Sequence, residues 1–234
     1  MSRNRVIWSE GLFLRPQHFQ QMERSLELLV QTRTAGALAH PWGYSELVID
    51  QEALKIGRVS IRQARGLLPD GTPFSIPEEC PAPPPLEVPA DLKDAFVYLA
   101  LPAWRSGMPE FAVDDGAHAV LARYVGADHA VEDAVLGAEE PADMRLGRLN
   151  LRYVVEGEPR EAFCSMGLVR VVERRSTGAV VLDEGYIPPM LECAGDRHLR
   201  DILDESRNLV RHRADALAGR LTQSNQKGVG EISE

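Results

Sequence analysis

The spacing of apolar positions changes twice along the chain. Over residues 16–39, Phe19, Met22, Leu26 and Leu29 recur at three, four and three residues behind Pro16. This spacing predicts an amphipathic helix that His40-Pro41 and Gly43 bring to an end. Beyond it the pattern shortens to strands, expected at 45–50, 53–64, 95–101, 119–125, 145–155, 162–174 and 178–183. Alternation at period two is cleanest at Leu149, Leu151, Tyr153 and Val155, and again from Leu168 to Glu173. Asp70-Gly71, Gly157 and Gly178 mark reversals. Past Tyr186-Ile187-Pro188-Pro189 the period lengthens again. Residues 196–222 carry the pairs Ile202/Leu203, Leu209/Val210 and Ala216/Leu217 at intervals of seven, with Leu199 and Leu221 extending the stripe and Asp196 as N-cap. A strict seven-residue repeat keeps one stripe toward a partner helix. At 1.5 Å per residue such a helix is about 40 Å long, too long to lie wholly on a preceding sandwich.

Several strands with turn punctuation and no alternating helices predict a mainly β chain, an antiparallel β-sandwich with an N-terminal helix, followed by a long helix. The expected units are 1–188, the helix over 189–223, and a polar tail from 224 to 234 that is frayed or marks a truncation. Ten of the 16 prolines lie between Pro69 and Pro109. Proline removes ladder donors, so the cluster at 81–89 reads as a stiff connection, with a ligand for a proline-recognising domain as the alternative.

Composition narrows the function. The 234 residues are 44% hydrophobic and 26% charged, which fits a folded chain and excludes a disordered or collagen-like one. A net charge of −9 argues against binding a nucleic-acid backbone. The apolar stretches near the N-terminus are too short for an export signal, and nothing resembles a membrane span. Cys80, Cys164 and Cys193 are too scattered for a disulfide framework. A cytoplasmic protein is expected.

Candidate chemistry is sparse. No phosphate-binding loop, Gly-x-Ser-x-Gly or His-Glu-x-x-His occurs. His118 and His129, with Asp114, Asp115, Glu132 and Asp133, form the densest ligand-like group, but the stretch reads as a solvated loop and strand edge. Cys164 is a conceivable nucleophile, although Phe163 and Met166 beside it suit a core thiol. No catalytic residue and no metal or organic cofactor are therefore expected. The N-terminal segment is less ordinary: Trp8, Phe13, Leu14 and Phe19, with Glu10 and His18 among them, gather much apolar surface into twelve residues. Such a segment is either tucked into its own domain or bound to another chain.

Those same residues carry a resemblance. The string from Val6 to Gln21 (VIWSEGLFLRPQHFQQ) resembles the opening of the TssK (ImpJ/VasE-type) family of type VI secretion baseplate proteins. Pro69-Asp70-Gly71-Thr72-Pro73-Phe74, then Leu182-Asp183 and Tyr186-Ile187-Pro188-Pro189, match later landmarks in order, so the likeness spans residues 6–189. The resemblance implies a shoulder domain similar to those of phage receptor-binding proteins, followed by the start of a helical neck, in a homotrimer. It implies a structural connector whose shoulder meets the wedge proteins TssF and TssG, and whose head, absent from this chain, meets TssL and TssM at the cytoplasmic face of the bacterial inner membrane. Partner contact is expected at Trp8, Glu10, Phe13, Leu14, His18 and Phe19, and oligomerisation at Leu199, Ile202, Leu203, Leu209, Val210 and Leu217. Two other classes remain open: a ligand- or carbohydrate-binding β-sandwich module, and an enzyme, which lacks a converging nucleophile, base and oxyanion donor.

Overall fold

A computed structural model describes residues 4–36, 39–112, 117–135 and 137–230, the last ten by backbone alone. It divides into two units, residues 1–191 and 192–234. In chain order the first unit comprises α1 (Pro16–Ala35), β1 (Gly43–Ile49), α2 (Gln51–Lys55), β2 (Arg58–Val59), β3 (Ile61–Leu67), β4 (Pro73–Ile76), β5 (Leu86–Glu87), β6 (Lys93–Pro102), β7 (Phe111–Ala112), β8 (Tyr124–Asp133), β9 (Gly137–Leu149), β10 (Arg152–Val155), β11 (Phe163–Arg174) and β12 (Val180–Leu182). Among the described residues they form sheets ordered β1-β3-β4, β10-β6-β11-β12, β2-β5 and β7-β8-β9. Every pairing of named strands is antiparallel except β7 with β8, which is parallel over two residues. The chain is thus mainly β, as expected.

One apolar core holds the first two sheets. Tyr44, Ile61, Ala64, Phe74 and Ile76 from one sheet are buried in the same cluster as Val97, Leu99, Leu101, Met166, Leu168 and Val171 from the other. β6 supplies Val97, Leu99 and Leu101 at every second position, so that face of the strand lies in the core, while β3 and β11 reach it across register irregularities, from Ile61 to Ala64 and from Leu168 to Val171. Gly66 allows β1 and β3 to meet: a Cβ there would run into the carbonyl oxygen of Gly43. The exit of the unit is pinned to β1, where the Tyr44 N–H donates to the Pro189 carbonyl at 2.8 Å and the Leu191 N–H to the Tyr44 carbonyl at 2.8 Å.

Several expectations need correction. The strand expected from residue 53 begins instead as α2, because Asp50 caps it through hydrogen bonds from the Glu52 and Ala53 N–H groups. The strand expected at 119–125 starts only at Tyr124, after a 3₁₀ turn over Ala117–Leu121. The run 145–155 breaks at Asn150-Leu151. There Asn150 donates to the Ala119 and Ala122 carbonyls, Leu151 turns into the core, and the chain passes from one sheet to another. The acidic stretch around His129, expected as a solvated loop and strand edge, is solvated but forms part of a long hairpin of β8 and β9 instead of a loop. Its alternation was hard to see because both of its faces meet water over most of their length.

In the second unit a single helix, α3 (Arg197–Gly230), follows a 3₁₀ turn at Cys193–Gly195. Asp196 caps it, accepting from the Leu199 N–H at 3.1 Å. The helix continues past Ser224, where a frayed tail was expected, since nothing between 223 and 227 is a strong helix breaker. Residues 231–234 and the Leu221 side chain lie outside the described residues.

Candidate partner-binding surfaces

α1 was expected to pack on the sheets, and it does so poorly. No residue of the helix is buried, and Phe19, Met22, Leu26 and Val30 all remain exposed. Two polar struts hold it in place: the Arg24 guanidinium meets the Glu110 carboxylate at 3.4 Å, and Gln31 Nε2 donates to the Asp70 carbonyl at 2.8 Å. Between helix and sheet a crevice of about 900 Å³ stays open. Apolar α1 side chains line one wall and Pro73, Ala103, Trp104 and Tyr124 the other.

At the floor of this crevice sits an ion pair that the sequence did not announce. Arg123 is 7% exposed, and its guanidinium contacts the Asp70 carboxylate at 2.6 Å, the Pro102 carbonyl at 2.9 Å and the Thr72 hydroxyl. Burial opposes both charges. Arg123 and the Thr72 hydrogen bonds nonetheless hold the Asp70 carboxyl below its ordinary range, and Asp70 raises the Arg123 guanidinium above its own. Nearby, burial first and the Asp70 charge second push the Cys164 thiol up to about 11. Burial likewise raises the Tyr124 hydroxyl. Neither group offers a nucleophile or a base near neutral pH. The turn Asp70-Gly71-Thr72 was visible in the sequence. Its partner 53 residues away was not, because Arg123 looked like one polar position in a strand.

The expected contact residues divide. Trp8 lies with ring centroids 6.2 Å from His18 and 6.3 Å from Phe19, so these three are brought together. His18 is also held by the Arg15 N–H, which donates to its Nδ1 at 3.0 Å. Glu10, Phe13 and Leu14 stay outside this group, on or beyond the turn closed by the Leu12 N–H to the Ser9 carbonyl. Ile7 is 86% and Phe13 80% exposed, and half of Trp8 faces water. The self-docked alternative is therefore met only in part.

Within the second unit, Ile202, Leu203, Leu209, Val210 and Leu217 are all exposed along α3, while Leu199 is half-buried beside the cap. Of the ligand-like group, Asp114, Asp115 and the His118 side chain lie outside the described residues. His129, Glu132 and Asp133 sit on β8. Among the described residues no three His, Cys, Asp or Glu side chains are placed to hold a metal ion. Nor is any described helix long and apolar enough to cross a membrane.

Comparison with known proteins agrees with this picture. The type VI secretion system baseplate component TssK1 of Pseudomonas aeruginosa is 44% identical over 231 residues, 99% of this chain and 52% of the relative's length. The chain thus spans about half of that relative. A crystal structure of TssK superposes with a TM-score of 0.83 at 35% identity, covering 94% of this chain and 50% of the other. A chain of the type VI secretion system TssK-TssF-TssG baseplate subcomplex, solved by cryo-electron microscopy, also superposes with a TM-score of 0.83. It is 25% identical over 94% of this chain and 72% of its own. The family model described as Bacterial Type VI secretion, VC_A0110, EvfL, ImpJ, VasE matches residues 18–234. With nearly the whole chain covered by that model, and the fold shared with TssK, the chain belongs to the ImpJ/VasE family of bacterial type VI secretion.

Proposed function

We propose that this chain is a structural component of a type VI secretion baseplate that works by assembling interfaces and carries out no chemistry. The first unit acts as a shoulder that attaches to the wedge proteins TssF and TssG, and α3 begins a neck through which three copies associate. The part of the full-length relatives beyond this chain's span then contacts TssL and TssM, which places the assembly at the cytoplasmic face of the inner membrane. Family membership supports the reading, as does the likeness to a chain of a TssK-TssF-TssG subcomplex.

The observation that carries it is the apolar surface left in water from Ile7 to Phe19, beside a core that is otherwise well buried. Exposing several large side chains at one end of a domain is costly unless a second chain covers them. Replacing Trp8 and Phe13 together by alanine is expected to weaken co-purification with TssF and TssG while far-UV circular dichroism and the unfolding midpoint stay near wild type. Aromatic anchors at interfaces commonly cost about 2 kcal/mol or more on truncation, roughly thirtyfold in affinity. Unchanged co-purification, or loss of the fold, would count against the proposal.

A further inference from the structure

The crevice under α1 is long, apolar and acidic at once. Its lining follows the helix from Phe19 to Gln31. At 1.5 Å per residue that is about 18 Å, the reach of about five or six residues of extended chain at roughly 3.3 Å each. A small-molecule site encloses most of its ligand. This one does not, because Phe19, Leu26 and Val30 on its helix wall are each at least half exposed. A trough of this form suits a segment of polypeptide.

The helix wall presents Phe19, Met22, Leu26 and Val30 at spacings of three, four and four, and Glu23 and Glu27 directly follow Met22 and Leu26. Apolar and acidic positions therefore belong to one wall. Of the charged residues on the whole lining, Glu23, Glu27, Asp70 and Glu110 are acidic and Arg24 and Arg123 basic. Arg24 meets Glu110 at 3.4 Å and Arg123 meets Asp70 at 2.6 Å, so both guanidinium groups are matched within the crevice. The lining as a whole carries two more negative charges than positive ones. We propose that this crevice is the docking site of a short extended segment of a partner protein, one that carries two lysines or arginines, two residues apart, among large apolar side chains. Alternate side chains of an extended chain recur about 6–7 Å apart on one side, close to the roughly 6 Å between Glu23 and Glu27 along α1. The apolar residues of the segment then face Pro73, Trp104 and Tyr124 on the sheet wall. The site goes beyond the wedge attachment through residues 7–19, with which it shares only Phe19.

The test measures binding of fluorescein-labelled pentapeptides to the full chain by fluorescence anisotropy. Leu-Lys-Phe-Lys-Leu is expected to half-saturate below about 1 mM protein, and Leu-Glu-Phe-Glu-Leu to bind about tenfold more weakly or worse. Glu23→Lys with Glu27→Lys should reverse that preference. Leu26→Ser with Val30→Ser should weaken the lysine peptide by about tenfold or more. All four positions are exposed, and far-UV circular dichroism tracks the fold. Reversal of the preference supports the site even if the serine variant folds poorly. Equal affinity for the two peptides, a preference that survives the charge reversal, or a folded serine variant that binds like wild type overturns it. So does a chain that self-associates without peptide until Glu23→Lys with Glu27→Lys makes it monomeric, since a second copy then fills the crevice. Co-purification with TssF and TssG reads the wedge attachment separately, so either proposal can fail while the other stands.

Discussion

Asp70→Asn is the sharpest perturbation of the first unit. The amide keeps the size of the side chain and can still accept one hydrogen bond, but it removes the charge opposite Arg123. Breaking a buried ion pair by neutralising one partner typically costs about 3–5 kcal/mol, because the other charge stays in the interior without compensation. Two features lower the cost here. The Asp70 side chain is 32% exposed, which lets water screen the pair, and Arg123 keeps the Pro102 carbonyl and the Thr72 hydroxyl. A loss of about 2 kcal/mol is expected after this discount. For a unit of this size that lowers the midpoint of thermal unfolding by about 4–8 °C.

The pH dependence follows from the sign of the shift. The folded Asp70 carboxyl titrates below its unfolded value. Its contribution is fully present above the unfolded value, about 3.9, and disappears as pH falls through the lower folded one. The gap between wild type and Asp70→Asn should therefore be constant from pH 7 to about pH 5 and should narrow below about pH 4. Calorimetry or circular dichroism melts across that range read it directly. A variant that melts within a degree of wild type at pH 7 would refute the reasoning. A gap that persists unchanged at pH 3 would do so too.

Gly66→Ala should cost about 3 kcal/mol or abolish folding, since the new methyl meets the backbone of Gly43 and Tyr44; chemical denaturation of the purified variant measures it. Cys164 should react with a thiol reagent at pH 8 roughly two orders of magnitude more slowly than Cys193, because little thiolate forms when the thiol sits at about 11 and Cys193 is exposed. Mass spectrometry of timed labelling reports both, and equal rates would contradict the burial argument. Changing Leu203 and Val210 to aspartate should convert an oligomer of the chain to monomers without lowering its helix content, as light scattering and circular dichroism would show; an unchanged mass would remove α3 from the assembly.

Local chemistry made the two long helices and the strands β1, β3, β6, β10, β11 and β12 legible. α1 starts at Pro16 as expected and ends four residues early, at Ala35. The alternation of Leu168 to Glu173 places Leu168 and Val171 in the core but crosses an irregularity between Gly167 and Val169, which period two alone does not foresee. α2 was missed although its signal was present: Asp50 followed by Glu52 is a helix start, overridden in the reading by the apolar residues after it. The Asp70–Arg123 pair could not be read at all. It depends on which strand follows which in space, and a turn residue and a strand residue 53 positions apart carry no local mark of meeting.

The β8–β9 ribbon shows the same limit from the other side. Pattern reading works when burial imposes contrast between two faces. Over residues 126–131 and 142–147 the register puts alanine, histidine, valine, methionine and leucine on one face and glycine, alanine, aspartate and arginine on the other, and water meets both, so the contrast is weak. Pro141 interrupts it further, next to the irregularity between Val131 and Asp133. Once the register is known, Val131, Met144 and Leu146 fall on one face. The N-terminal segment was conspicuous in the sequence because its aromatics cluster within a dozen residues. The ribbon was inconspicuous because its apolar residues come from two strands and assemble only across the ladder. Surfaces are in this respect like cores: they are legible in one dimension only when a single element carries them.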